Sequence, residues 1–287
     1  MKVNNYNGLK ILLAVVVVAV SVITVVEVAR AGETITAENW TEMTGFKPDL
    51  TTVPITPGQL VHKGNYKKYS ALLPAGIQRM VSKYELKIKL RNYSQTHPSL
   101  GYIKATNENL GKAKIIDIGS DYRKRGLKGY VAGLPFPHPK NGLEVAWDFI
   151  YNYSGDDGDL IYDVMWVSAG SGIEHTETWR FAYLMRTMHR TDLPPIPAIK
   201  EYKDKELQYA SMTYAIAPYD KKGFGAVYTR SLDPLDMQGH IYVPAMRRVL
   251  RNAFGTRGDT WNATDLLYED VRGYMGYPEW MYWKLVG

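Results

Sequence analysis

Cysteine is missing from all 287 residues, and that absence removes several classes of function together. No disulfide staples the chain, no zinc thiolate site exists, and no thiol serves as nucleophile or redox centre. Lipid attachment to a cysteine behind an export signal is excluded as well. Metal-ligand spacing is also lacking, because His62, His97, His138, His175, His189 and His240 never stand three or four residues apart, as ligand pairs on a helix would. There is no Gly-x-Ser-x-Gly elbow and no phosphate-cradling glycine loop. The formal charge is +6, but lysines and arginines are scattered, so nucleic acid finds no continuous basic stripe. Repeats and low-complexity tracts are absent.

What is present begins at the N-terminus. Lys2 and Lys10 precede an apolar run from Ile11 to Val26, and Ala29-Arg30-Ala31 places small residues where signal peptidase reads them. The run is shorter than the ~20 apolar residues that span a bilayer, and Glu27 and Arg30 close it. The expectation is an export signal over 1–31, cleaved after Ala31, and a periplasmic protein over 32–287 built as a single domain.

The rest of the chain is rich in aromatics, with 22 tyrosines and 7 tryptophans in the sequence, a density that suits strands or a surface for apolar ligands. Thr36 to Trp40 reads as a short capped helix, and Pro74 opens another through about Ser82. Tyr84 to Leu90 alternates as a half-buried strand. Asn141, three residues before Glu144, starts an amphipathic helix carrying Leu143, Ala146, Trp147 and Ile150. The segments Leu160–Ala169, Glu174–Met188, Leu207–Ala217, Phe224–Leu232 and Gly239–Arg251 are rich in β-branched and aromatic residues with short links, which predicts antiparallel meanders. The proline-rich stretch Asp192 to Pro197 must lie outside the ladder. The fold class is therefore mainly β, with a large curved antiparallel sheet and a few covering helices.

Asp156, Asp157 and Asp159 could hold calcium, but a complete calcium loop needs regularly alternating ligands and a distant bidentate Glu, so a solvated turn is favoured. Glu174 and Glu177 are the nearest pair for glycoside hydrolysis, with surface acids as the alternative. A Ser-His-Asp site assembled from distant residues stays open.

Two segments identify a family. Gly133-Leu134-Pro135-Phe136-Pro137 is followed by Asn141-Gly142-Leu143-Glu144 and a Trp-bearing helix; Tyr242-Val243-Pro244-Ala245-Met246-Arg247-Arg248-Val249-Leu250-Arg251 is followed by Asp265 and a terminal Tyr282-Trp283-Lys284-Leu285-Val286-Gly287. With Glu38-Asn39-Trp40, these resemble the bacterial domain-of-unknown-function family 1329 of exported Gram-negative envelope proteins. The resemblance implies a fold like the lipoprotein-sorting carrier, an incomplete β-barrel with covering helices around an apolar cavity. It also implies association with resistance-nodulation-division type transporters and outer-membrane proteins. Leu250 departs from the family's Arg-Arg-Val-Arg-Arg run, and family members continue beyond Trp-Lys-Leu-Val-Gly, so the chain is expected to lack final strands.

On this basis Trp147, Phe149, Trp166, Trp179, Phe181 and Tyr183 are expected to line an apolar ligand cavity, or else to be core. Arg247, Arg248 and Arg251 either grip a lipid phosphate or a partner's acids, or form a rim of ion pairs. The functional expectation is a non-enzymatic periplasmic carrier for a lipid or other apolar molecule, with no cofactor, no metal and no catalytic residue. It is expected to be capable of peripheral membrane association and to have an envelope transporter or outer-membrane complex as partner. A hydrolase with dispersed residues and a structural adaptor are the alternatives.

Overall fold

A computed structural model describes residues 33–45, 53, 55–91, 96–116, 126–168, 170–234, 236–252, 258–260 and 264–286. The expected export signal over 1–31 and its cleavage point lie outside the described residues.

Short helices and two-stranded ladders come first in the chain. They comprise α1 (Trp40–Thr44), β1 (Leu60–Val61), α2 (Ala75–Lys83), β2 (Ile88–Lys89), α3 (Leu100–Glu108), β3 (Lys114–Ile116) and β4 (Gly126–Lys128). Next come α4 (Gly142–Tyr151), β5 (Asp157–Ser168), β6 (Gly172–Leu184), α5 (Lys200–Asp204), β7 (Leu207–Ala217), β8 (Gly225–Ser231), β9 (Gln238–Val243) and β10 (Arg248–Asn252). Strands β5 to β10 form one antiparallel sheet in sequential order, a meander whose edges β5 and β10 are unjoined among the described residues. The β-rich class with an antiparallel sheet and few helices is thus present, while the sheet is open. Among the described residues no helix is long and apolar enough to cross a membrane.

Richness in β-branched and aromatic residues places β7 with the expected bounds, Leu207–Ala217. Two expected strands are corrected. Tyr84 to Leu90 yields only Ile88–Lys89, paired with Leu60–Val61, because the N–H groups of Tyr84 and Leu86 still bond the Met80 carbonyl at the end of α2. Gly239 to Arg251 is a hairpin rather than one strand: Pro244–Met246 form a 3-10 turn and Arg247 sits at φ 49°, since proline has no N–H for a continuing ladder.

α4 starts as its sequence predicts. The Asn141 Oδ1 accepts from the N–H groups of Leu143 and Glu144, each at 3.0 Å, which satisfies two of the helix's orphan donors. Helix α3, by contrast, was not expected from the sequence. It is capped by the Ser99 hydroxyl at 3.1 Å from the Tyr102 N–H, and its buried face supplies Tyr102 and Ile103 to a cluster with Ile35, Trp40, Met43 and Leu134.

The segment Gly133 to Pro137 is packed against α3. A Cβ at Gly133 would stand 2.4 Å from the Thr106 nitrogen, and the Leu134 N–H donates to the Thr106 hydroxyl at 2.9 Å. At Gly142 a Cβ would come within 2.7 Å of the Trp283 backbone and 2.8 Å of that of Lys284. The two distant sequence motifs therefore meet at the head of α4, where any side chain would force them apart.

Candidate functional site

Pairing register fixes which side chains share a face. One row across the sheet reads Gly158, Tyr183, Ser211, Tyr228, Gly239, and the next reads Leu160, Phe181, Thr213, Ala226, Ile241, Leu250. Small residues alternate with large ones in the first row. The Tyr183 ring lies across Gly158, where a Cβ would come within 2.3 Å of it, so glycine is required there by close approach.

This inner face is not covered by α4. It is covered by the segment 264–277, which contains an irregular 3-10 stretch at Tyr268–Gly273. Between cover and sheet lies a trough of about 590 Å³, within the range of about 300–1,000 Å³ typical of ligand pockets. Its walls include Leu160, Val164, Phe181 and Tyr183 from the sheet, and Leu266, Val271 and Met275 from the cover.

The expected aromatic set divides. Phe181 and Tyr183 line the trough, with their rings 5.1 Å apart. Trp179 shares their face but is fully buried at 1% exposure, and its indole N–H donates to Glu177 Oε2 at 3.0 Å. Trp166 packs on His175 at 5.0 Å. Trp147 is buried on α4 and stacks on Tyr151 at 6.0 Å. Phe149 lies behind the cover, lining a small hollow with Arg186 and Arg272. Neither Trp147, Phe149, Trp166 nor Trp179 lines the trough.

Glu177 occupies the hairpin end of the inner face at 1% exposure. His175 Nε2 lies 3.0 Å and Lys221 Nζ 3.8 Å from its Oε1. Glu174 is exposed and accepts from the Ser168 and Ser171 hydroxyls. Glu174 falls at the bulge between the Trp166–His175 and Val167–Ile173 pairs, and with one acid exposed and the other buried on different partners they form no carboxylate pair.

The acidic loop is likewise not a solvated turn. Asp156 is buried, and its carboxylate accepts from the N–H groups of Thr191, Asp192 and Leu193. Asp157 takes both terminal guanidinium nitrogens of Arg190 at 2.8 Å, and Asp159 pairs with Arg180. Each acid is committed to a different protein partner. Arg247, Arg248 and Arg251 are exposed on the β9–β10 hairpin, away from the trough lining.

At the other end of the strands stand groups that sequence reasoning did not single out. Arg230 is buried at 6% exposure; it donates to the carbonyls of Met275 at 2.6 Å and Gly276 at 2.9 Å, and its guanidinium lies 3.9 Å from the Tyr277 ring centre. Arg272 contacts the Met185 sulfur at 2.8 Å and Asn152 Oδ1 at 3.4 Å. Hydrogen bonds from Tyr277 and Gln208 to the Ser231 carbonyl, both at 3.0 Å, tie the cover to β7 and β8. The lone positions of Arg230 and Arg272 in separate segments gave no sequence signal.

Behind this end, burial alters the titration of Asp148 and His189 among others. Desolvation raises the Asp148 pKa to about 8 despite the hydrogen bond that it accepts from the Phe136 N–H. Desolvation lowers the His189 pKa to about 4; its ring lies 4.5 Å from Tyr130, and Nδ1 donates to the Val131 carbonyl at 2.6 Å.

A family model described as "Protein of unknown function (DUF1329)" matches residues 60–287. No curated protein matches the chain. Two solved structures are similar over part of their length. One, from Vibrio parahaemolyticus, carries the description of an outer membrane lipoprotein-sorting protein domain; it is 18% identical with a TM-score of 0.33, over 48% of this chain and 49% of that one. The other, a DUF1329 family protein from Desulfovibrio piger, is 16% identical with a TM-score of 0.30, over 48% and 49%. The likeness thus spans about half the length of each.

Proposed function

The chain belongs to the DUF1329 family, and we propose that it is a non-enzymatic carrier of the bacterial envelope, exported to the periplasm, which takes a lipid or other apolar molecule into the trough under residues 264–277. The observation that carries this reading is the trough. An inner sheet face in an ordinary core would be filled by interdigitating side chains, whereas Phe181 and Tyr183 stand beside about 590 Å³ of space. The open sheet and its cover act together as an incomplete barrel. Arg247, Arg248 and Arg251, exposed on an edge hairpin, are the proposed contact for an acidic surface of an envelope transporter or outer-membrane protein.

The test is titration of the full chain with N-phenyl-1-naphthylamine, a neutral probe that fluoresces in apolar surroundings. Saturable enhancement is expected. Ser211→Trp, which puts an indole between Tyr183 and Tyr228, is expected to abolish it while costing about 1–3 kcal/mol through overpacking. No saturable signal from the wild type would overturn the carrier reading.

A further inference from the structure

We infer that the trough end at Arg230 and Arg272 seats the anionic head of an amphiphile, a carboxylate or phosphate joined to the apolar chain that the trough takes. This inference rests on the carrier reading above. The charged residues lining the trough are Arg230, Arg272 and Glu269. The small hollow that adjoins it shares Arg230 and Arg272 and adds Arg186. Among the described residues three guanidinium groups thus stand with one lining carboxylate, Glu269, while the buried Glu279 acts on Arg230 from outside the lining.

The same sheet region shows how this chain treats arginines with a structural task. Arg190 meets both oxygens of Asp157, and Arg180 meets Asp159, the forked geometry that suits guanidinium to carboxylate. The hydrogen bonds described for Arg186, Arg230 and Arg272 go elsewhere. Arg186 donates to the carbonyls of Ile150, Asn152 and Met185. Arg230 uses two carbonyls, and its Nε is buried with no hydrogen-bond partner. Arg272 has a thioether and a long contact to an amide oxygen. Arg186 and Arg230 are buried whereas Arg272 is exposed; a guanidinium carries five donors, and a buried one with no carboxylate in hydrogen-bond contact is costly. Neutral acceptors leave that cost unmet, and a ligand's anion would meet it.

An amphiphile fits better than a free anion because these arginines open onto the apolar trough. The Tyr209–Arg230 pair and the Phe181–Thr213 pair lie four residues apart along β7, about 13 Å at ~3.3 Å per residue. One leaflet's acyl chain spans about 15 Å, half of a bilayer's ~30 Å hydrocarbon core. A single chain with its head at Arg230 and its tail toward Phe181 would occupy that length.

The experiment displaces N-phenyl-1-naphthylamine from the full chain with myristate, with tetradecanol, and with inorganic phosphate alone. Myristate is expected to act at about tenfold lower concentration than tetradecanol, the scale of a charge-assisted hydrogen bond. Arg272→Asn should reduce that preference to less than about twofold while leaving tetradecanol unaffected; Arg272 holds a φ of 61°, which Asn tolerates. Arg272→Lys should retain part of the preference. Equal displacement by the two competitors in the wild type overturns this inference alone and needs no variant. Millimolar phosphate that equalises them would mean that the arginines take a free anion, which also overturns it. Absence of probe binding removes the carrier reading and this inference together.

Discussion

The inner face of the sheet ends differently along its strands. At the hairpin end, Glu177 is enclosed by His175, Trp179 and Lys221, so its polar atoms serve the protein itself. At the other end, Arg186, Arg230 and Arg272 donate to carbonyls, an amide and a thioether, and a trough opens between them and the aromatic wall. The closed end anchors the fold, and the open end has capacity for a ligand. Parity along β6 sets the contrast, since Glu177, Trp179, Phe181 and Tyr183 share one face and only the last two border space.

The largest expected effect separates those two pairs. Trp179→Ala should cost about 3–5 kcal/mol, as large-to-small changes do in a packed core, and should unfold the protein at lower urea. Phe181→Ala should cost less than half as much, because its ring already borders a void, yet should weaken probe binding clearly. Equal stability losses would erase the distinction between a packed end and an open one.

The helical layer behind the arginine end supplies a pH signature. The folded Asp148 pKa, about 8, is raised above its ordinary 3.8, so the folded state prefers the proton. Its contribution to stability is full below the unfolded pKa and is lost as pH rises toward 8. Glu279, raised to about 7 by burial, acts in the same direction up to that pH. His189 has the opposite sign, since a depressed pKa adds instability that is absent above 6.5 and grows as pH falls toward 4. Between pH 7 and 8 His189 is largely neutral in both states. Wild type should therefore lose about 1–2 kcal/mol across that window, measured by urea unfolding at each pH. Asp148→Asn, which keeps an oxygen for the Phe136 N–H, should flatten most of the slope; an unchanged slope would reject Asp148 as its source.

These elements differ in how far the sequence announces them. The β-branched and aromatic content of Leu207–Ala217 and the Asn141–Glu144 cap are local signals, and the structure follows both. α3 escaped notice because Leu100 is exposed while the polar Thr106 is buried, which blurs its apolar periodicity. The cover over 264–277 has no regular period to read. Clustering in the chain drew attention to Arg247, Arg248 and Arg251, whereas Arg230 and Arg272 come together only through the docking of the cover on β8. The aromatic set was legible as a group, but its division between core and trough depends on which neighbours fill the space beside each ring.

The smallest effect provides a control for the closed end. Glu177 and Glu174 lie three residues apart on β6, yet one is buried and bonded to the Trp179 indole while the other is exposed and bonded to serine hydroxyls. Glu177→Gln keeps the side chain's shape but removes the charge facing Lys221, and its amide group cannot accept from both His175 and Trp179. A loss of about 1–3 kcal/mol is expected from a buried donor left unsatisfied. Glu174→Gln should stay within about 0.5 kcal/mol, as exposed substitutions do, because water replaces any lost serine contact. Both variants should retain probe binding, since neither residue borders the trough. Equal losses, measured by urea unfolding, would show that the two acids are alike and that Glu177 does not anchor the closed end.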